Sequence, residues 1–276
     1  IIIKFLQKTK RNGCRFHLNG FQFQPGNISI NQKTIIMKKQ AIIFSLATLL
    51  TFLTSCDYDT IQAEGEVTSK QHDITGYSEL SVSDTFKVHV IFSDTEEGVR
   101  IVANNNLHDK IVVEKDGNQL IIRLKNRTSV KGNATLNAYV TTQNLSTLFV
   151  IGASELTLDD AWVIQNGSIH VSGASHVYGE VDVDALHTVI DGASTLDLYG
   201  NVSSLDAKLY GSSEMRDYDL HIFDLNMELA GASVAFLSVD ETIDVSASGA
   251  STLNYKGTAV ITRSELSGSS KVIHKN

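Results

Sequence analysis

Carboxylates and imidazoles recur in this chain at spacings that could support hydrolytic or lyase chemistry. Three acid pairs stand out: Asp159/Asp160, Asp182/Asp184 and Asp217/Asp219. Residues two apart in a strand share a face. The two i,i+2 pairs could therefore supply the two carboxylates of an inverting glycosidase, one protonating the leaving group and one activating water. Held around Ca²⁺ beside a basic residue, the same acids could serve a polysaccharide lyase. A site for uronate also needs cations, yet the only arginines in residues 146–276 are Arg216 and Arg263. Solvated acids on turns are the favoured reading. His170, His176 and His187 could converge on a metal, but the paired Cys/His spacing of a zinc site is absent. Calcium repeats of the Gly-Gly-x-Gly-x-Asp kind are also missing from the sequence. No metal or cofactor is expected. Tyr178, Tyr199, Tyr210, Tyr218 and Tyr255 could form a stripe on which sugars stack, or could pack between strands.

The most repetitive candidate nucleophile is serine. Ser154, Ser175, Ser194, Ser213, Ser233, Ser251 and Ser270 each close a Gly-Ala-Ser or Gly-Ser-Ser tripeptide, which begins at Gly152, Gly173, Gly192, Gly211, Gly231, Gly249 and Gly268. A serine hydrolase elbow reads Gly-x-Ser-x-Gly and occurs once; that pattern is present at none of the seven. The tripeptides instead recur at intervals of 21, 19, 19, 20, 18 and 19 residues, the period of a solenoid in which each repeat is one coil. Two positions before each Gly stand Val150, Val171, Ile190, Leu209, Leu229, Ala247 and Leu266. Four after it stand Leu156, Val177, Leu196, Met215, Ala235, Leu253 and Val272. Polar neighbours such as His170, Lys208, Glu155 and Thr252 complete a period-two alternation, that of strands buried on one face. All fourteen apolar positions are expected to point inward. Gly is expected at a sharp corner with φ > 0. The stacked serines would form a ladder of hydroxyls bonding to one another.

The elements around the repeats follow from composition. Residues 1–36 contain no acid, and Met37-Lys38-Lys39-Gln40 then precedes an apolar run over residues 41–52 and Leu53-Thr54-Ser55-Cys56. This is a signal peptide at residues 37–55, with an apolar stretch too short to span a bilayer. Its ending resembles a bacterial lipobox, which implies cleavage before Cys56 and acylation of that sulfur. Residues 1–36 are then upstream sequence outside the translated protein, and 56–62 a lipidated tether. After Cys56 the chain carries 15 Lys and Arg against 31 Asp and Glu, a balance that repels nucleic acid and anionic membranes alike, so that contact with neither is expected beyond the lipid anchor. Cys14 and Cys56 are the two cysteines and Pro25 the one proline, so no disulfide or thiol chemistry is expected in residues 57–276.

Residues 63–276 read as one all-β domain: an irregular N-terminal part over 63–145, covering the first coil, and the coils over 146–276. Lys115-Asp116-Gly117-Asn118 signals a hairpin turn before residues 120–124, and residues 104–108 a short helical turn. The order Tyr77-Ser78-Glu79-Leu80-Ser81-Val82, Phe86-Lys87-Val88-His89-Val90, Asn105-Asn106-Leu107, residues 111–122 and Leu145-Ser146-Thr147-Leu148 leads into the Gly-Ala-Ser coils. This order resembles the head GIN domain of autotransporter adhesins, a domain of unknown function common in Bacteroidetes lipoproteins. The resemblance implies a right-handed parallel β-helix on the cell envelope, and brings no catalytic residues with it.

The expected function is a non-enzymatic envelope lipoprotein, anchored in the outer membrane through Cys56, whose repeated surface serves adhesion or binds glycan. One alternative is a polysaccharide-degrading enzyme using Asp182, Asp184, Asp217 and Asp219. Another is a structural envelope component whose last coil, near Lys271 and His274, pairs with an envelope protein.

Overall fold

The computed structural model describes residues 59–276. The leader, the signal peptide and Cys56 lie outside the described residues. Nine strands precede the coils: β1 (Asp59–Gln62), β2 (Val67–His72), β3 (Glu79–Val82), β4 (Lys87–Phe92), β5 (Gly98–Asn104), β6 (Ile111–Asp116), β7 (Gln119–Leu124), β8 (Thr128–Lys131) and β9 (Leu136–Thr142). Ten make the coils: β10 (Thr147–Val150), β11 (Glu155–Val171), β12 (His176–Ile190), β13 (Thr195–Leu209), β14 (Glu214–Arg216), β15 (Leu220–Leu229), β16 (Val234–Ala247), β17 (Thr252–Lys256), β18 (Val260–Leu266) and β19 (Lys271–His274). The one helical element among them is a 3-10 turn, Asn105–Lys110, where the run of asparagines predicts it.

Each coil has three faces. On face A the residues before the glycine stack in parallel register, Val150, Val171, Ile190, Leu209, Leu229, Ala247 and Leu266 lying one above another. On face B, after the glycine, Leu156, Val177, Leu196, Met215, Ala235, Leu253 and Val272 do the same. Face C is a third column, Ile164, Val183, Val202, Ile222 and Val239, which the tripeptide spacing does not index. Alternation puts these side chains inside, where burial of apolar area stabilises the stack. The last coil departs from the expectation: Leu266 is 47% exposed, and every residue of β18 is open to solvent. Among the described residues no further coil covers it.

The corner chemistry is steric. Every tripeptide glycine has φ between +72° and +88°. A Cβ on Gly173 would lie 2.3 Å from the carbonyl oxygen of Gly152, and on Gly231 2.5 Å from that of Gly211. The carbonyl stands there because it accepts the amide of the residue after the next coil's glycine, as in Ala174 N–H to Gly152 O at 2.7 Å and Ala232 to Gly211 at 2.7 Å. Six of the seven serines are buried and Ser270 is half-buried, but their hydroxyls do not bond to one another as expected. Each resolved contact is with backbone: Ser233 Oγ donates to Ala230 O at 2.8 Å in its own coil and reaches Leu209 O at 3.1 Å in the coil below, while Ser154 N–H donates to Ser175 Oγ at 3.3 Å. A corner leaves backbone carbonyls turned inward, and these are nearer partners than the next hydroxyl.

The N-terminal part builds two further layers in an order the sequence conceals. β3 lies between β10 and β7, parallel to both, and β4 between β11 and β9. The first chain segment is thus inserted beneath the first Gly-Ala-Ser coil, and the later β7 and β9 form the layer under it. β6 and β7 make the predicted hairpin, and β5 bridges β9 and β2 antiparallel. In the inserted layer Asp84 occupies the corner with φ 76°, and its carboxylate accepts the Leu124 amide at 2.7 Å. Phe86, fully buried, stands under Ser154 in the serine column.

Candidate functional site

The outward positions of face B carry the most unusual side chains of the surface. They are presented by the same alternation that buries the core. In the lowest layers His89 stacks on Tyr139, centroids 5.2 Å apart at 14°, and the Arg100 guanidinium lies 4.0 Å over the Tyr139 ring. Higher up, Tyr178 and Tyr199 meet at 5.7 Å. Higher still, Tyr218 and Phe236 meet edge to face at 5.9 Å, with the Lys256 ammonium 4.6 Å from the Tyr218 centroid. Three ring pairs therefore mark three heights of one face. Tyr178 is 43% exposed, so its ring is available as a platform. Charges of both signs edge the rings. His89 Nδ1 lies 3.0 Å from Asp159. Burial, then the charges of Tyr178 and Glu180, pushes the Tyr199 hydroxyl above its usual range. Burial likewise raises the Asp197 carboxyl, with His176 and Arg216 opposing and Asp217 adding.

The structure divides the other predicted residues. Of the five tyrosines, Tyr178, Tyr199 and Tyr218 share face B. Tyr210 follows the face A strand beside Glu228, and Tyr255 is 6% exposed and stacks on His274 at 4.6 Å. The three histidines do not converge. His170 and His187 are neighbours on face A, centroids 6.0 Å apart, with Phe149 stacked on His170 and Asp206 3.1 Å from His187. His176 is on face B, 4.0 Å from Asp197. Among the described residues no group of three or more His, Cys, Asp or Glu is arranged to hold a metal ion. The acid pairs are scattered. Asp159 is engaged by His89, Asp182 and Asp184 border a shallow hollow beside Val163 on face C, and Asp217 caps its own turn by accepting the Asp219 amide at 2.9 Å. His89, Tyr139 and Phe236 were absent from the predicted stripe. The outward phase of residues 86–92 and 136–142 carries that information, but only once β4 and β9 are known to share face B.

The family model described as "Putative auto-transporter adhesin, head GIN domain" matches residues 76–259. The chain belongs to this family. Solved structures agree on the fold. A "putative adhesin" from Bacteroides fragilis superposes with a TM-score of 0.73 at 16% identity, covering 78% of this chain and 100% of that one. A "putative adhesin" from Parabacteroides distasonis gives 0.66 at 18%, covering 79% and 100%. A "putative lipid binding protein" from the same species gives 0.61 at 17%, with the same coverage. No curated protein matches the sequence. The inserted layer and the coils through β17 of this GIN domain fall inside the matched region, and β18 and β19 lie beyond it. No helix among the described residues is long and apolar enough to cross a membrane.

Proposed function

We propose that this GIN domain is a non-enzymatic, cell-envelope lipoprotein, anchored through Cys56, that binds glycan along face B. The observation that carries the reading is the set of ring pairs His89–Tyr139, Tyr178–Tyr199 and Tyr218–Phe236 on one face. Aromatic faces pack against the apolar faces of sugar rings, and the adjacent carboxylates and cations supply hydrogen bonds to hydroxyls. A solenoid repeats such a platform every ~4.8 Å along its axis, which suits an extended polymer laid along the coils. The adhesin description of the family accords with a binding role.

Two measurements test it. Residues 57–276 screened on a glycan array should give a restricted set of polysaccharide hits, and Tyr178→Ala should weaken them at least tenfold without changing the melting temperature. Product formed from any hit, and abolished by Asp182→Asn with Asp184→Asn, would move the protein to the enzyme class. For the anchor, intact mass of membrane-extracted protein should give a diacylated or triacylated chain beginning at Cys56, and Cys56→Ser should release it from membranes. A native peptide spanning residues 11–23 would overturn the assigned start.

A further inference from the structure

The charge of the domain is unevenly distributed. Residues 132–276 hold six Lys and Arg against eighteen Asp and Glu, and residues 57–109 three against eleven, whereas residues 110–131 hold six against two. Three of those cations, Lys110, Lys125 and Arg127, meet Asp59 around an open cleft of about 580 Å³ at the point where the described chain begins. Backbone bonds hold the cluster together. Lys125 N–H donates to Lys110 O at 2.8 Å, Asp59 N–H donates to Arg127 O at 2.8 Å, and β1 runs parallel to β8 from there. Lys110 pairs with Asp59 at 2.9 Å. Among the described residues Lys125 and Arg127, both exposed, form no ion pair.

We infer that this cationic end is a membrane-docking surface for anionic phospholipid headgroups, and that it sets the solenoid upright on the bilayer. The inference rests on the proposed anchor at Cys56. Three Cα–Cα steps separate Cys56 from Asp59, so at ~3.8 Å each the Cα of Asp59, the residue that pairs with Lys110 and bonds the Arg127 backbone, lies within about 11 Å of the Cys56 Cα, whatever path the intervening residues take. That is close to the Debye length of about 8–10 Å at physiological salt. The cations around Asp59 are therefore tethered near the range where an anionic leaflet attracts them, while acidic coils that tilt into that range are repelled. Both forces turn the same end toward the lipid. Face B then projects away from the bilayer.

The test couples the mature chain, residues 56–276, through its sole cysteine to a maleimide lipid in phosphatidylcholine vesicles with or without phosphatidylglycerol. The surface is thereby tried whether or not cells acylate Cys56, a separate question that the intact mass answers. Amide exchange in residues 125–131 should slow severalfold on the anionic vesicles alone, and the protection should vanish in high salt. Lys125→Glu with Arg127→Glu should lower the docked-to-free ratio by about fivefold or more per charge and abolish the protection, with an unchanged melting temperature showing the fold intact. Equal exchange on the two vesicles, or protection that survives the double variant, would overturn the inference.

Discussion

The two ends of the solenoid solve the same problem in opposite ways. Below the first Gly-Ala-Ser coil, the inserted layer and its partners β7 and β9 continue faces A and B. Face C has no such continuation among the described residues: it starts at Trp162, Val163 and Ile164, which pair upward with residues 181–183. There the chain places its one tryptophan. Trp162 is 1% exposed, its ring fills the space a side chain at Gly167 would take, and its Nε1–H donates to Leu145 O at 2.8 Å. Phe86 closes the serine column the same way. Among the described residues the upper end has no plug, and Val260, Ile261 and Leu266 are 67%, 38% and 47% exposed. An open coil end is a template for further pairing unless it is blocked. Here Arg263, Lys271 and Lys275 at the last coil place charge along it, the usual way an edge is blunted. The lesson is that a repeat stabilises its neighbours, whereas an end must be built from something other than the repeat.

The comparison is most sharply broken at Trp162. Trp162→Ala should cost about 3–5 kcal/mol by emptying the plug and leaving the Leu145 carbonyl without its donor, read as a lowered denaturant midpoint. A loss under about 1 kcal/mol would mean the lower end is not sealed by this ring. Next in size is a matched pair at the corners. Gly231→Val should cost about 2–4 kcal/mol, because its φ of 82° and the Gly211 carbonyl both forbid a Cβ. Gly268→Val meets the same obstacle, 2.6 Å from Gly249 O, but sits in the last coil, which can fray without unstacking the rest. Its melting followed by Trp162 fluorescence should match the native chain, as should that of Thr252→Ala. Equal losses for the two glycine variants would show that the upper end is as cooperative as the middle.

What the sequence made legible follows from its repetition. Seven copies index faces A and B residue by residue, because an error at one copy is corrected by the other six. Face C went unseen, since the segment after each face B strand varies in length: register shifts occur between Leu158 and Trp162, and between Ile222 and Asp224. The insertion of β3 between β10 and β7 was also hidden. It pairs strands 40 and 68 residues apart with no repeat to announce it, and Asp84 replaces the corner glycine because its carboxylate, unlike a glycine, can take the Leu124 amide. The candidate site was partly legible for the same reason: Tyr178, Tyr199 and Tyr218 belong to the coils, whereas His89 and Tyr139 join them only through the insertion.

The smallest expected effect concerns pH and the lower half of face A. Burial, then the charge of His187, holds the His170 imidazole below its ordinary value of 6.5. Burial, then Lys70, does the same for His72 on β2. A depressed folded value means that the unfolded chain takes up protons first as pH falls. Stability then rises with pH where the unfolded state holds more protons, so these groups should destabilise the fold progressively below pH 6.5 and level off once the folded imidazoles protonate. A second, lower window belongs to Glu155, whose carboxyl is held down chiefly by its hydrogen bond to Lys87, 2.9 Å away. That contribution is present above the unfolded value of 4.5 and is lost as pH falls through the folded one. Acidification also relieves repulsion among the many carboxylates of the coils, so the informative quantity is a difference between variants. His170→Gln should shrink the fall in melting temperature between pH 7.5 and 5.5 without removing it, because His72 remains. His187→Gln should shrink it less, since burial of His170 persists. A fall as large in His170→Gln as in the native chain would mean that the stacked Phe149–His170 pair does not couple protonation to the closed end.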